Sequence, residues 1–165
     1  MPPSPQTNQW WVSIREARCA DAEELTDVAV AAKAFWGYDQ AFMLACQAEL
    51  QVTANDIAQA DKLVFVAEVQ GQIAGFYALT KLSVDSAELH ALFIKPRFMR
   101  KGIGAALLKH AKATAKAQGL PSLHIQSDPN AEAFYLAMGA KRIGTLPSSS
   151  IPGRSLPLLS IACNT

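Results

Sequence analysis

The chain of 165 residues is short of cysteine, of net charge and of long apolar runs, and each shortage removes a class of protein. Its three cysteines, Cys19, Cys46 and Cys163, are odd in number and share no metal-ligand spacing. They read as buried thiols rather than as a disulfide framework or a metal centre. With a formal net charge of +1, no global field favours nucleic acid or a membrane surface, and any basic patch has to be local. No apolar run approaches the length that spans a bilayer. Residues 1–9 are polar and proline-rich, lack the apolar core of a signal peptide, and are expected to form a disordered tail. The expected setting is therefore reduced and cytoplasmic. Internal repeats and domain-splitting linkers are missing too, so residues 10–165 are expected to form one domain, long enough to bury its core unaided.

What the chain does have is a clear succession of strand and helix patterns. Trp11 to Ala17 alternates as a strand. Asp21, with Glu24 three residues on, resembles a capping box, and Leu25, Val28, Ala29 and Ala32 follow at helical spacing. That helix breaks near Gly37, Gln40 to Leu50 reads as a second helical region, and Asn55 to Ala60 as a short turn. Leu63 to Ala67, Ile73 to Leu82 and the run ending at Ile94 are three strands joined by short turns, an antiparallel meander. From Gly102 a helix runs to about Gln118 with Ile103, Leu107, Leu108, Ala111 and Ala115 on one stripe and Lys109, Lys112 and Lys116 opposite. Leu123 to Gln126 then reads as a strand parallel to its predecessor, because a long helix joins them. Asp128-Pro129 predicts an N-cap with proline at the first helical position, Gly139 ends that helix, and strands follow over Lys141 to Leu146 and Leu156 to Ala162. The fold class is α/β (α+β), a mixed, mostly antiparallel sheet flanked by helices.

Between the third meander strand and the long helix lies Lys95-Pro96-Arg97-Phe98-Met99-Arg100-Lys101-Gly102-Ile103-Gly104-Ala105. Glycines at a helix start let the backbone approach a ligand, and the unpaired N–H groups and positive helix end suit a phosphate or pyrophosphate. Arg100 and Lys101 add local positive charge. The loop is neither a P-loop, which needs Gly-Lys-Ser/Thr, nor a dinucleotide fingerprint, since Leu107 stands where the third glycine belongs. A plain reading, two glycines opening a packed helix, stays open beside the ligand-binding one.

Two motifs in this arrangement resemble the GCN5-related N-acetyltransferase (GNAT) superfamily, and the likeness runs from Trp11 to Ile161. Leu92-Phe93-Ile94 through Ala105 is similar to its acetyl-CoA motif, Gln/Arg-x-x-Gly-x-Gly/Ala. Asp128 through Gly139 is similar to its Asn-x-x-Ala-x-x-Phe-Tyr-x-x-x-Gly helix. Met99 departs from the Gln/Arg position, Arg100 from the glycine after it, and Asp128 from the asparagine. The resemblance implies acetyl-CoA as co-substrate, with no metal. It places Leu92, Phe93 and Ile94 along the pantetheine arm and Arg100, Lys101, Gly102, Ile103, Gly104 and Ala105 around the pyrophosphate. Asn130 stands in for the missing asparagine contact.

The implied chemistry moves an acetyl group to a primary amine by direct attack. Tyr135 is the implied general acid, since a phenol with an ordinary pKa near 10 is protonated at neutral pH. Glu88 and His90, two apart on one strand and hence on one face, are both candidates for the base, unless the amine arrives deprotonated. Trp36 and Tyr38 around Gly37 are candidate walls of a substrate pocket, and Arg154 in Pro152-Gly153-Arg154 a partner for an anionic substrate group. His110 and His124 read as structural or exposed. The acceptor is a small amine or a peptide, and a homodimer through the C-terminal sheet edges fits the pattern. The other readings are a non-catalytic acyl-CoA-binding sensor, prompted by Met99 and Asp128, and an interaction module whose glycine loop is only structural.

Overall fold

Alternation along the meander, interrupted by bulges, sorts its side chains onto two faces, and each face collects its own layer of helices. The computed structural model describes residues 11–164, so the tail expected at residues 1–9 lies outside the described residues. Among the described residues seven strands form one sheet: β1 (Val12–Glu16), β2 (Lys62–Val69), β3 (Gln72–Lys81), β4 (Ala87–Ile94), β5 (Ser122–Gln126), β6 (Lys141–Pro147) and β7 (Ser155–Ala162). Their order is β1-β2-β3-β4-β5-β7-β6. Every neighbouring pair is antiparallel except β4–β5, the pair joined through the long helix.

On one face Tyr77, Leu79, Leu89, Leu123, Ile125 and Leu159 pack against α5 (Ile103–Ala117) and the short α6 (Glu132–Ala137). The stripe expected on α5 is the buried one, with Ile103, Leu107, Leu108, Ala111 and Ala115 all closed to solvent. Each such leucine or isoleucine contributes about 1.5–3 kcal/mol of burial energy. The polar groups of this layer pair with one another: the Tyr77 hydroxyl lies 2.7 Å from His110 Nδ1 and 3.0 Å from Thr114 Oγ1, tying α5 to β3. His110 is thus structural. The opposite face carries Val64, Val66, Phe76, Ala78 and Ala91 under α1 (Ala22–Ala34), together with residues of the region running through α2 (Gln40–Ala45), α3 (Gln47–Leu50) and α4 (Ala54–Ala58).

Four local expectations need correction. Asp21 does not cap α1; its carboxylate accepts from the Arg18 N–H at 2.7 Å and pairs with Arg15 at 2.8 Å, so it closes a 3-10 turn over Cys19–Asp21 that leads into the helix. The region 40–50 is two short helices, α2 capped by the Asp39 carboxylate on the Phe42 N–H at 2.8 Å, with the break at the buried Cys46. Asp128 likewise caps a turn and not a helix: α6 begins only at Glu132. Cys46 and Cys163 are buried, but Cys19 is exposed. Among the described residues no helix is long and apolar enough to cross a membrane.

Candidate active site

The site grows out of one irregular strand. β4 pairs with β3 along its length, yet with β5 only at Ala87↔Leu123 and Glu88↔His124. Beyond Glu88 the two parallel strands part, and no strand among the described residues pairs the β5-facing edge of Leu89 to Ile94. Backbone donors and acceptors on that edge are therefore open to a ligand. Leu92 and Ile94 pack toward the α5 layer and Phe93 toward the α1 layer, so the side chains are anchored while the edge stays free.

A bulge accompanies the splay. Ala78 faces Ala91 and Leu79 faces Leu89, which leaves His90 as the extra residue. Bulges re-aim side chains and recur beside active sites. Here Leu89 belongs to the α5 layer and Ala91, two residues on, to the α1 layer, so the bulge reverses the alternation. Thr80 links the two candidate bases: it is the register partner of Glu88, and its Oγ1 lies 2.8 Å from His90 Nδ1. His90 is open to solvent at its edge, but surrounding protein depresses its pKa below the ordinary imidazole value, with Lys62 adding to the effect and Asp56 opposing it. Glu88 is half-buried; burial raises its pKa, and the neighbouring His124 partly offsets this. His124, read from sequence as structural or exposed, is thus the register neighbour of a candidate base.

At the end of β4 the chain makes a 3-10 turn over Pro96–Phe98 and reaches α5 through two left-handed residues, Arg100 at φ 61° and Gly102 at φ 82°. The first helical bond runs from the Ala106 N–H to the Gly102 carbonyl at 3.1 Å, so the N–H groups of Ile103, Gly104 and Ala105 precede the helical ladder. The first turn holds no acidic residue, and Arg100 and Lys101 are exposed beside it. Ile103 is buried and pins the helix start to the core. Gly104 lies against Phe134 and Ile94: a Cβ there would sit 3.4 Å from the Phe134 ring and 3.9 Å from Ile94 Cγ1. Loop, strand end and α6 converge at this point.

Tyr135 follows Phe134 on α6 and is 6% exposed within the α5-side core. Burial raises the pKa of its phenol, which keeps it protonated. Among the described residues no protein group bonds its hydroxyl, yet that oxygen is not sealed from solvent. It is an available donor.

Opposite lies a cluster that the sequence only half discloses. The Asp128 carboxylate accepts from Lys33 Nζ at 2.7 Å and from the Tyr38 hydroxyl at 2.9 Å, and Arg154 stands 3.6 Å away. Burial opposes ionisation of Asp128, but Lys33 and the Asn130 N–H outweigh it and hold the carboxyl below the usual range. The Tyr38 hydroxyl accepts from Arg154 at 2.7 Å and from Asn130 Nδ2 at 2.9 Å, and its ring stacks on Phe42 at 3.9 Å. Tyr38, Asn130 and Arg154 therefore meet, joined by Lys33, which sequence reading missed. Its signal was positional: Lys33 continues the Leu25-Val28-Ala29-Ala32 face and is itself buried. Trp36 stands apart, exposed and edge-on to Phe35 at 5.7 Å. Both amide hydrogens of Asn130 are engaged, by Tyr38 and by Asp128 at 3.0 Å.

Residues 21–147 match the family model of the acetyltransferase (GNAT) domain, which covers more than half of the chain. The chain belongs to the GNAT acetyltransferase family. As a GNAT protein it is an acyltransferase of the N-acetyltransferase type. It is 28% identical over 130 residues to an uncharacterized N-acetyltransferase of Chlorobaculum tepidum, spanning 79% of this chain and 76% of that one. Over 150 residues it is 29% identical to the peptidyl-lysine N-acetyltransferase YjaB of Salmonella typhimurium, spanning 91% and 97%. Among solved structures, the PaiA N-acetyltransferase of Thermoplasma acidophilum in complex with coenzyme A superposes with a TM-score of 0.77 at 23% identity, covering 92% of this chain and 98% of that one.

Proposed function

We propose that this GNAT protein transfers an acetyl group from acetyl-CoA to a primary amine by direct attack, without an acetylated enzyme. The observation that carries the reading is the unpaired β4 edge from Leu89 to Ile94 running into the unbonded N–H groups at the start of α5. The edge suits an extended, amide-bearing pantetheine arm, which pairs with backbone as a strand would. The helix start suits the pyrophosphate, with Arg100 and Lys101 as added charge. Acetyl-CoA supplies the activated thioester; the protein supplies position and protons. A backbone N–H of the open edge stabilises charge on the carbonyl oxygen. Tyr135 protonates the leaving sulfur; the desolvation that raises its pKa makes a thiolate beside it more basic as well. His90 is the favoured base, because its lowered pKa leaves it neutral at pH 7 and it faces a cavity that Glu88 does not line.

Tyr135→Phe tests the reading. Acetyl-CoA affinity is expected to stay within about twofold, while kcat falls by roughly 10²–10⁴, the usual contribution of a positioned acid. An unchanged kcat would remove Tyr135 from the mechanism. Loss of transfer in the wild type, with acetyl-CoA still bound, would leave an acyl-CoA sensor.

The loop offers a second test. Arg100 holds a backbone conformation that costs a residue with a Cβ about 1–2 kcal/mol. Arg100→Gly is expected to raise stability by about 1 kcal/mol in urea titrations, and at the same time to weaken acetyl-CoA binding and flatten its salt dependence. Opposite signs for stability and affinity mark a strained residue kept for its charge.

A further inference from the structure

The bulge in β4 joins two side chains that regular pairing holds apart. Thr80 on β3 faces Glu88 in register, and His90 lies two residues beyond Glu88 on β4. In a regular antiparallel ladder such a diagonal pair stands about 7–8 Å apart. Here Thr80 Oγ1 lies 2.8 Å from His90 Nδ1. Threonine is β-branched and restricted at χ1, so its hydroxyl is held in place instead of sampling many positions. Among the described residues it is the one hydrogen-bond partner of the ring, and Nε2 bonds no protein group. Four charged groups surround the pair. Lys62 is the register partner of Thr80 on β2, and its ammonium is taken by Asp56 of α4 at 3.0 Å. Glu49 of α3 lines the same cavity as His90, and Glu88 is the charged neighbour on its own strand. Not one of them bonds the imidazole; the hydroxyl alone does.

A neutral imidazole carries one N–H and one lone pair, and the partner of one nitrogen decides which the other keeps. Where Nδ1–H donates to the hydroxyl, the lone pair is left on Nε2. Where the hydroxyl donates to Nδ1, Nε2 carries the hydrogen and cannot take a proton. Once His90 is protonated both nitrogens are donors, and Oγ1 has to accept. Only the first arrangement has that acceptor in place before the charge forms, with no turn of the hydroxyl during proton transfer. We infer that Thr80 is a positioning residue for acetyl transfer: its hydroxyl accepts from Nδ1–H and holds His90 as the tautomer whose Nε2 takes the amine proton. The inference rests on the transfer reading above and adds the group that makes His90 a base. One ammonium proton passes to Nε2, the C–N bond forms as the C–S bond breaks, and the imidazolium then releases its proton to solvent. The second amine proton leaves to water, and Tyr135 recovers from solvent the proton it gives the thiolate, so one net proton appears per turnover. A charged donor is held more strongly than a neutral one, so the contact also favours the imidazolium. Burial and Lys62 oppose that form, and Asp56 supports it.

Nitrogen NMR of histidine-labelled protein reads the tautomer without any turnover, and the His90→Gln spectrum assigns the signal by its loss. Where His90 is neutral, the wild type is expected to show Nδ1–H with a bare Nε2, against the preference of a free histidine side chain. Thr80→Val removes the hydroxyl at nearly constant volume and is expected to restore the Nε2–H form. With Nα-acetyl-lysine amide as the amine, its kcat is expected to fall roughly fivefold to tenfold, the worth of one hydrogen bond, with the acetyl-CoA KM unchanged. The acid limb of its kcat/KM profile is expected about half a pH unit lower, because the imidazolium has lost its acceptor. Thr80→Ser keeps the hydroxyl and is expected to recover tautomer, rate and acid limb. A wild-type Nε2–H signal overturns the inference, and so does a fully active His90→Gln. A Thr80→Val loss with tautomer and acid limb unchanged is packing alone and overturns it too. In all three cases acetyl transfer stands. Bound acetyl-CoA with no amine acetylated removes the transfer reading, and with it any role for the tautomer that NMR records.

Discussion

Acetyl-CoA affinity is expected to fall at least a hundredfold when Gly104 is replaced by glutamate. The new carboxylate would stand in the first turn of α5, a turn that holds no acidic residue and whose leading N–H groups have no helical partner. Two negative charges about 4 Å apart repel by ~4 kcal/mol at an effective dielectric of 20, near three decades in affinity, and salt reduces the figure. Space is the lesser problem, because the Cβ itself meets Phe134 and Ile94 at ordinary contact distances of 3.4 and 3.9 Å. Gly104→Ala is therefore the control: it is expected to fold normally and to bind within about tenfold of the wild type. Calorimetric titration of both variants separates charge from bulk. Equal losses for alanine and glutamate would point to packing at Phe134 instead of an anion site.

The second large effect belongs to Asp128. Asp128→Ala removes the carboxylate on which Lys33, Tyr38 and Arg154 converge and leaves the Lys33 ammonium buried without it. Stripping one partner from a largely buried ion pair costs about 3–5 kcal/mol. Taking 3 kcal/mol for a pair with some solvent access, the melting temperature is expected to drop by roughly 6–12 °C. Lys33→Met combined with Asp128→Ala should recover part of the loss, a coupling that a double-mutant cycle reads directly. The pH dependence has a definite sign. The folded state holds Asp128 below the ordinary carboxylate range, so its contribution is complete above the unfolded value near pH 4 and is lost as pH falls through the lower folded value. Asp128→Ala is expected to flatten that acid limb of the stability curve. Asp128→Asn, which restores the residue usual in the family, should lie between the wild type and alanine, since it keeps the shape and loses the charge.

Both predictions rest on places where local sequence and folded site relate differently. The strand–loop–helix from β4 to α5 was legible because its determinants are local: alternation, Pro96, then glycines followed by an apolar stripe. The meander and the single parallel pair followed from connection lengths for the same reason. His90 was legible as a residue on a strand but not as a bulge, because the extra residue is defined against β3 and leaves no mark in β4 alone. Asp128 misled in an instructive way. Asp-Pro is a helix-start signature, yet its carboxylate is drawn away by Lys33, ninety-five residues earlier in the chain, and the helix starts four residues later. Asp21 is a second case, its capping role lost to Arg15 and the Arg18 N–H. Carboxylates drawn into ion pairs, distant for Asp128 and nearby for Asp21, are the ones whose helix-capping propensity fails.

The central claim is tested most directly by following both products of one reaction. Purified protein with acetyl-CoA and Nα-acetyl-lysine amide is monitored for free thiol and, by mass spectrometry, for acetylated amine and for the intact protein mass. The account predicts thiol and acetylated amine in equal amounts, dependent on both substrates, with the protein mass unchanged throughout. A protein that gains an acetyl group before any amine is modified, or releases thiol with no acetylated amine, would contradict direct transfer at this site.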